Sequence, residues 1–137
     1  MIIKLPFEPV ACPRPKITVR SGYPSAYYPP KYKAFKSDVT AYLNRNYPDT
    51  RYENCGVHIL YTFVIKRPKS LYRNSDYNFR IRHTKKPDLD NFIKSVNDVL
   101  EDAGILSNDS IIHSISASKW IADKEEEPHI IVEISND

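Results

Sequence analysis

The stretch Lys85–Ser110, KKPDLDNFIKSVNDVLEDAGILSNDS, decides how the rest of the chain is read. Phe92, Val96, Val99, Leu100 and Ala103 recur at a helical period and predict an amphipathic helix from about Asp90 to Ala103. Gly104 follows as its C′ residue, where a left-handed backbone is cheap for glycine. At about 100° per residue, Lys94 lies within roughly 40° of Asp90 on the polar side. Asp88 stands just before the helix, after Pro87, which biases Lys86 toward extended backbone. In extended backbone, side chains two apart point the same way, so Asp88 and Asp90 are expected to aim at one point. Asp109 lies where the chain leaves the helix and starts the next strand. If that strand runs back beside Asp88, three carboxylates converge.

Ordinary structural roles explain part of this pattern. Aspartate is a favoured N-cap, and an acid near a helix start gains about 0.3–1 kcal/mol from the dipole. Asp90 and Lys94 form an i,i+4 pair worth a few tenths of a kcal/mol. Capping accounts for one aspartate better than for two and says nothing of Asp109, which reads on its own as a turn residue. Converging carboxylates repel unless a cation joins them, and hard oxygen ligands suit Mg²⁺ or Mn²⁺. Other aspartate chemistry is excluded. Counted from Asp88, an EF-hand would need glycine and glutamate where Ile93 and Val99 stand. There is no P-loop and no G-x-S-x-G elbow, and His58, His83, His113 and His129 have no nucleophile partner.

Charge is distributed unevenly. Residues 1–86 hold 17 Lys and Arg against 5 Asp and Glu, residues 87–137 hold 3 against 12, and the whole chain carries +3. Such asymmetry points to nucleic acid: a basic half that meets phosphates and an acidic half that holds a cation. A surface of interleaved, solvated charges is the bland alternative. The two cysteines, Cys12 and Cys55, form no CxxC pair, so neither a zinc site nor a disulfide framework is signalled, and a reducing cytoplasm is expected. No apolar run reaches membrane-spanning length, and MIIKLPFEPV is too short and interrupted for a signal peptide.

Working outward, Ile2–Leu5 reads as a strand and residues 9–30, rich in Pro and Tyr, as a long loop. Tyr32, Phe35, Val39, Tyr42 and Leu43 mark a helix from about Lys31. Val57–Ile65 is β-branched and aromatic, with apolar residues on both faces, as in a central strand. Arg67–Pro87 is a second loop. Ile111–Ile121 and His129–Ile134 are two strands expected to form a hairpin across DKEEEP. At 137 residues this makes one α/β domain of order βαβαββ, a mixed sheet with two helices packed on it. Both long loops mix cations with aromatics, including Tyr72, Tyr77 and Phe79, as suits phosphates and unpaired bases.

KPDLDNFIKSVNDVLEDAGILSNDSII resembles the signature of the RusA family of Holliday junction resolvases, small endodeoxyribonucleases common in phages and prophages. The shared pattern is a basic residue, D-L-D-N, a lysine four residues after the second aspartate, D-x-L, a glycine, and an aspartate at the next strand. CPRPKITVR resembles the family's basic N-terminal segment, with Arg14 the best match. Pro87 stands where some members have arginine, and Asn108 where some have a further aspartate. The resemblance implies metal-binding acids Asp88, Asp90 and Asp109, a catalytic Lys94, Mg²⁺ with Mn²⁺ as a substitute, and hydrolysis of a DNA phosphodiester at a four-way junction. Lys94 would stabilise charge or position the attacking water. Arg14, Lys16, Arg20, Lys31, Lys85, Lys86 and Asn91 are the expected DNA contacts. The family and the two-fold symmetry of a junction imply a homodimer, its interface sought at Ile111–Ile121 around Trp120. Two rivals stand beside this reading: a non-enzymatic nucleic-acid-binding module, and a metal nuclease cutting flaps or forks.

Overall fold

A computed structural model describes residues 1–14, 16–20, 22–72 and 79–136, without the side chains of residues 16, 18, 20, 25 and 26. The elements are β1 (Ile2–Leu5), β2 (Lys16–Arg20), β3 (Tyr23–Tyr27), α1 (Pro30–Asn46), β4 (Val57–Ile65), β5 (Ile81–Arg82), α2 (Leu89–Asp102), β6 (Ile112–Ile121) and β7 (His129–Asn136). Single 3-10 turns lie at Lys69–Leu71 and Asp109–Ile111. Five strands make one sheet in the order β1-β7-β4-β6-β5, and β2 and β3 form a separate ribbon.

Strand β4 is central because both its faces are apolar. Val57, Ile59, Tyr61 and Phe63 are fully buried against the helices. It runs antiparallel to β7 and parallel to β6. Parallel neighbours need a long crossover, and the chain makes it through α2. Phe35, Val39 and Leu43 of α1 and Phe92, Val96, Val99 and Leu100 of α2 pack on the same core, which Ile3, Leu5, Ile130 and Val132 complete. Phe92 stacks on Phe63 with centroids 5.2 Å apart.

The α/β class, the mixed sheet and the two helices are as expected, but the pairing differs. Strands β6 and β7 are not a hairpin: β4 lies between them. The segment 122–128 is long enough to pass the end of β4, where the Ala122 amide donates to Ile65 O at 2.9 Å. The segment 9–30 is not all loop, since it holds the β2–β3 ribbon, with Gly22 at φ +77° in its turn. Pro24 disguised it: proline argues against a central strand but is tolerated in a ribbon that is edge on both sides. Strand β5, two residues long, is too short to show any period.

Candidate active site

Helix α2 begins one residue earlier than its apolar period predicts, at Leu89, with Asp88 as N-cap in extended backbone (φ −70°, ψ 149°). The Asp88 carbonyl accepts from the Asn91 and Phe92 amides, at 3.1 and 3.4 Å. Its carboxylate makes no capping hydrogen bond, so the capping role does not occupy it. Asp90 sits inside the first turn rather than in extended backbone. Both acids nevertheless line one pocket of about 680 Å³, with Asn91, Lys86, Pro87, Ala11, Cys12, Pro13 and Arg14. The far wall is held in place by the Cys12 amide, which donates to Asn91 O at 2.9 Å.

Lys119 secures the approach to this helix, and the sequence reading missed it. It lies beside Phe63 in the β4–β6 register, and its Nζ donates to Lys85 O and Pro87 O, both at 2.7 Å. One ammonium thus ties the backbone on either side of Lys86 to the sheet, just ahead of Asp88. The His83 amide donates to Lys119 O at 3.2 Å, and burial, with the charges of Lys119 and Lys85, holds the His83 imidazole below its ordinary pKa.

The second part of the site is further along the polar side of α2. Lys94 does not pair with Asp90. Its Nζ donates to Asp98 Oδ1 at 2.8 Å, one turn in the other direction. That hydrogen bond is the main cause holding the Lys94 ammonium above its ordinary pKa, and the charges of Asp98, Asp109 and Cys12 act the same way. The other oxygen, Asp98 Oδ2, accepts from the Tyr32 hydroxyl at 3.1 Å. Burial, the Cys12 thiol and Asp98 together push that phenol well up. Cys12 therefore borders both parts, lining the pocket and acting on the Tyr32 phenol.

Asp109 does not join Asp88 and Asp90. It is not among the residues lining the pocket, and among the described residues no three His, Cys, Asp or Glu side chains converge closely enough to hold a metal. The strand direction explains this. Because β6 runs parallel to β4, it starts at the end of the sheet where β4 starts, and its late residue Lys119, not its start, reaches the beginning of α2. Asp109 lies within electrostatic reach of Lys94 instead.

The expected DNA contacts divide. Arg14, Lys86 and Asn91 line the pocket, Arg14 and Lys86 exposed. Lys85 is exposed beside it, and Lys31 is exposed in the first turn of α1. The side chains of Lys16 and Arg20, and Tyr77 altogether, lie outside the described residues. Trp120 is half-buried, its Nε1 donating to Ser118 Oγ at 2.9 Å within its own chain. No helix among the described residues is long and apolar enough to cross a membrane.

Comparison with known proteins covers nearly the whole chain. A family model described as Endodeoxyribonuclease RusA matches residues 6–135. The chain is also 31% identical over 132 residues to the uncharacterized protein YqaN of Bacillus subtilis (strain 168), an alignment covering 93% of this chain and 89% of that protein.

Proposed function

The chain belongs to the RusA family of endodeoxyribonucleases, and we propose that it resolves Holliday junctions by Mg²⁺-dependent, paired hydrolysis of DNA phosphodiesters in recombination and repair. Family membership makes it a nuclease acting on DNA; the junction, the metal and the paired cuts are the proposal. One observation carries it. The Asp88 and Asp90 carboxylates share a pocket with Arg14 and Lys86, and neither is spent on capping or on Lys94. Acids and cations around one opening suit a site that takes a divalent metal and a phosphate together.

The donor set fits a hard cation. Mg²⁺ is commonly held by one or two carboxylates and keeps several waters, so Asp88 and Asp90 would suffice to hold it, with Mn²⁺ as a substitute. Asp109 is the third acid that the resemblance assigns to the metal. Bound there, Mg²⁺ supplies polarisation of a phosphoryl oxygen and a more acidic water. Arg14 and Lys86 hold phosphates at the mouth of the pocket, and Lys85, Lys31, Lys16, Arg20 and Asn91 extend that contact. Lys94 stabilises the negative charge that develops on the phosphate, as a cation kept charged by its neighbours.

A four-way junction is nearly two-fold symmetric and needs two matched nicks, whereas one chain carries one such site. A homodimer meets that requirement. Its interface is proposed at Ile111–Ile121, around the half-buried Trp120. Both cysteines are free thiols, which suits the reducing cytoplasm proposed as its compartment.

The test offers the purified protein a synthetic four-way junction, a flap, a fork and a linear duplex, each with Mg²⁺, Mn²⁺ or a chelator. Symmetric nicks in the junction that vanish with the chelator are expected. Faster cutting of flaps or forks would reassign the substrate, and binding without cutting any of them would leave a DNA-binding module.

A further inference from the structure

Asp98 joins two elements in a way that a surface ion pair does not need. Its side chain is only 19% exposed, against 55% for the Lys94 side chain it holds. Oδ1 accepts from Lys94 Nζ at 2.8 Å and Oδ2 from the Tyr32 hydroxyl at 3.1 Å. Tyr32 belongs to α1, is 1% exposed, and packs against Tyr28 with ring centroids 5.1 Å apart. A relay thus runs from a buried phenol, through a mostly covered carboxylate, to an ammonium that reaches solvent. An ordinary i,i+4 pair leaves both partners free to change rotamer. Here the second hydrogen bond fixes the carboxylate from behind, so the ammonium is presented in one direction before any phosphate arrives. Such preorganisation is what a charge aimed at a developing anion requires.

Resting on the reading of Lys94 as the cation of DNA cleavage, we propose that Asp98 is the positioning residue of Lys94 and that the Tyr32 hydroxyl fixes Asp98. The relay explains why Lys94 turns away from Asp90: the metal-side carboxylates stay uncommitted, and the ammonium is held by an acid that takes no part in the pocket. Cys12 lines that pocket and also lies near enough to Tyr32 to help raise its pKa, so it borders both parts of the site. The charges that act on Lys94 are those of Asp98, Asp109 and Cys12, and all three favour the ammonium.

A coupling cycle tests the proposal. Turnover on saturating junction, junction affinity and Tm are measured for the wild type, Lys94→Ala, Asp98→Ala, the double variant and Tyr32→Phe. Asp98→Ala is expected to slow turnover at least about tenfold with affinity nearly unchanged. The double variant should be no slower than Lys94→Ala alone, because a residue that acts through another adds nothing once the other is gone. Tyr32→Phe should slow turnover less while melting close to the wild type. Losses that multiply in the double variant would overturn the proposal.

A second readout needs no cleavage. Competitive acetylation of the free protein by acetic anhydride near pH 9, read by mass spectrometry, reports how well each lysine is shielded. Lys94 should react more slowly in the wild type than in Asp98→Asn or Tyr32→Phe. Equal reactivity in all three would overturn the proposal even in an active nuclease. A wild type that shields Lys94 yet cuts no DNA would instead sink the nuclease reading and leave the relay standing.

Discussion

Lys119 shows what a single residue contributes that no local pattern announces. A lysine in the register of buried Phe63 reads as an intrusion until its ammonium is seen on Lys85 O and Pro87 O, 34 and 32 residues away in the chain. Lys119→Met keeps the aliphatic stem and removes both charge-assisted bonds. At a half-buried site this should cost roughly 1–3 kcal/mol in urea denaturation. It should also reduce DNA cleavage more than DNA binding, because the backbone that presents Asp88 loses its tether. Unchanged stability would mean that the two carbonyls are satisfied equally well without it. Asn91 and Arg14 were reached only through the family resemblance, whereas Asp88 and Asp90 were legible because local spacing beside a proline brings them together. Lys119, and the Asp98–Tyr32 contact that spans 66 residues, were not, because each depends on how separate elements pack.

Among the elements, α2 was the most legible, since the periodicity that defines its buried face is local. Phe92, Val96, Val99 and Leu100 are all buried as the spacing requires. Its end is equally local: Gly104 has φ +77°, and a Cβ there would meet nothing closer than Arg51 Nη1 at 3.6 Å. Space is therefore ample, and only backbone strain opposes a side chain. Gly104→Ala should cost about 1–2 kcal/mol in thermal or urea unfolding and leave cleavage unchanged. A neutral or stabilising effect would contradict the left-handed cap. The β6–β7 pairing was illegible for the opposite reason. Two apolar strands and a polar link look the same whether the strands touch or a third lies between them, and only the parallel pairing of β4 with β6 places β4 there. That same pairing decides where Asp109 goes.

At the scale of the whole molecule, the basic first half supplies Arg14, Lys31, Lys85 and Lys86, while the acidic second half supplies Asp88, Asp90, Asp98 and Asp109. The fold brings the two halves together at the start of α2. Light scattering at micromolar concentration without DNA should give about twice the 15.9 kDa of one chain. A monomer that stays monomeric on junction DNA would defeat the homodimer and weaken the paired-nick reading. Whether the carboxylates at the start of α2 serve catalysis rather than folding is read from Asp90→Asn. Its cleavage of a four-way junction in Mg²⁺ and its junction affinity are measured beside the wild type. Cleavage is expected to collapse while affinity holds or rises, because a negative charge facing phosphate is lost. Cleavage near the wild-type rate would contradict a catalytic role.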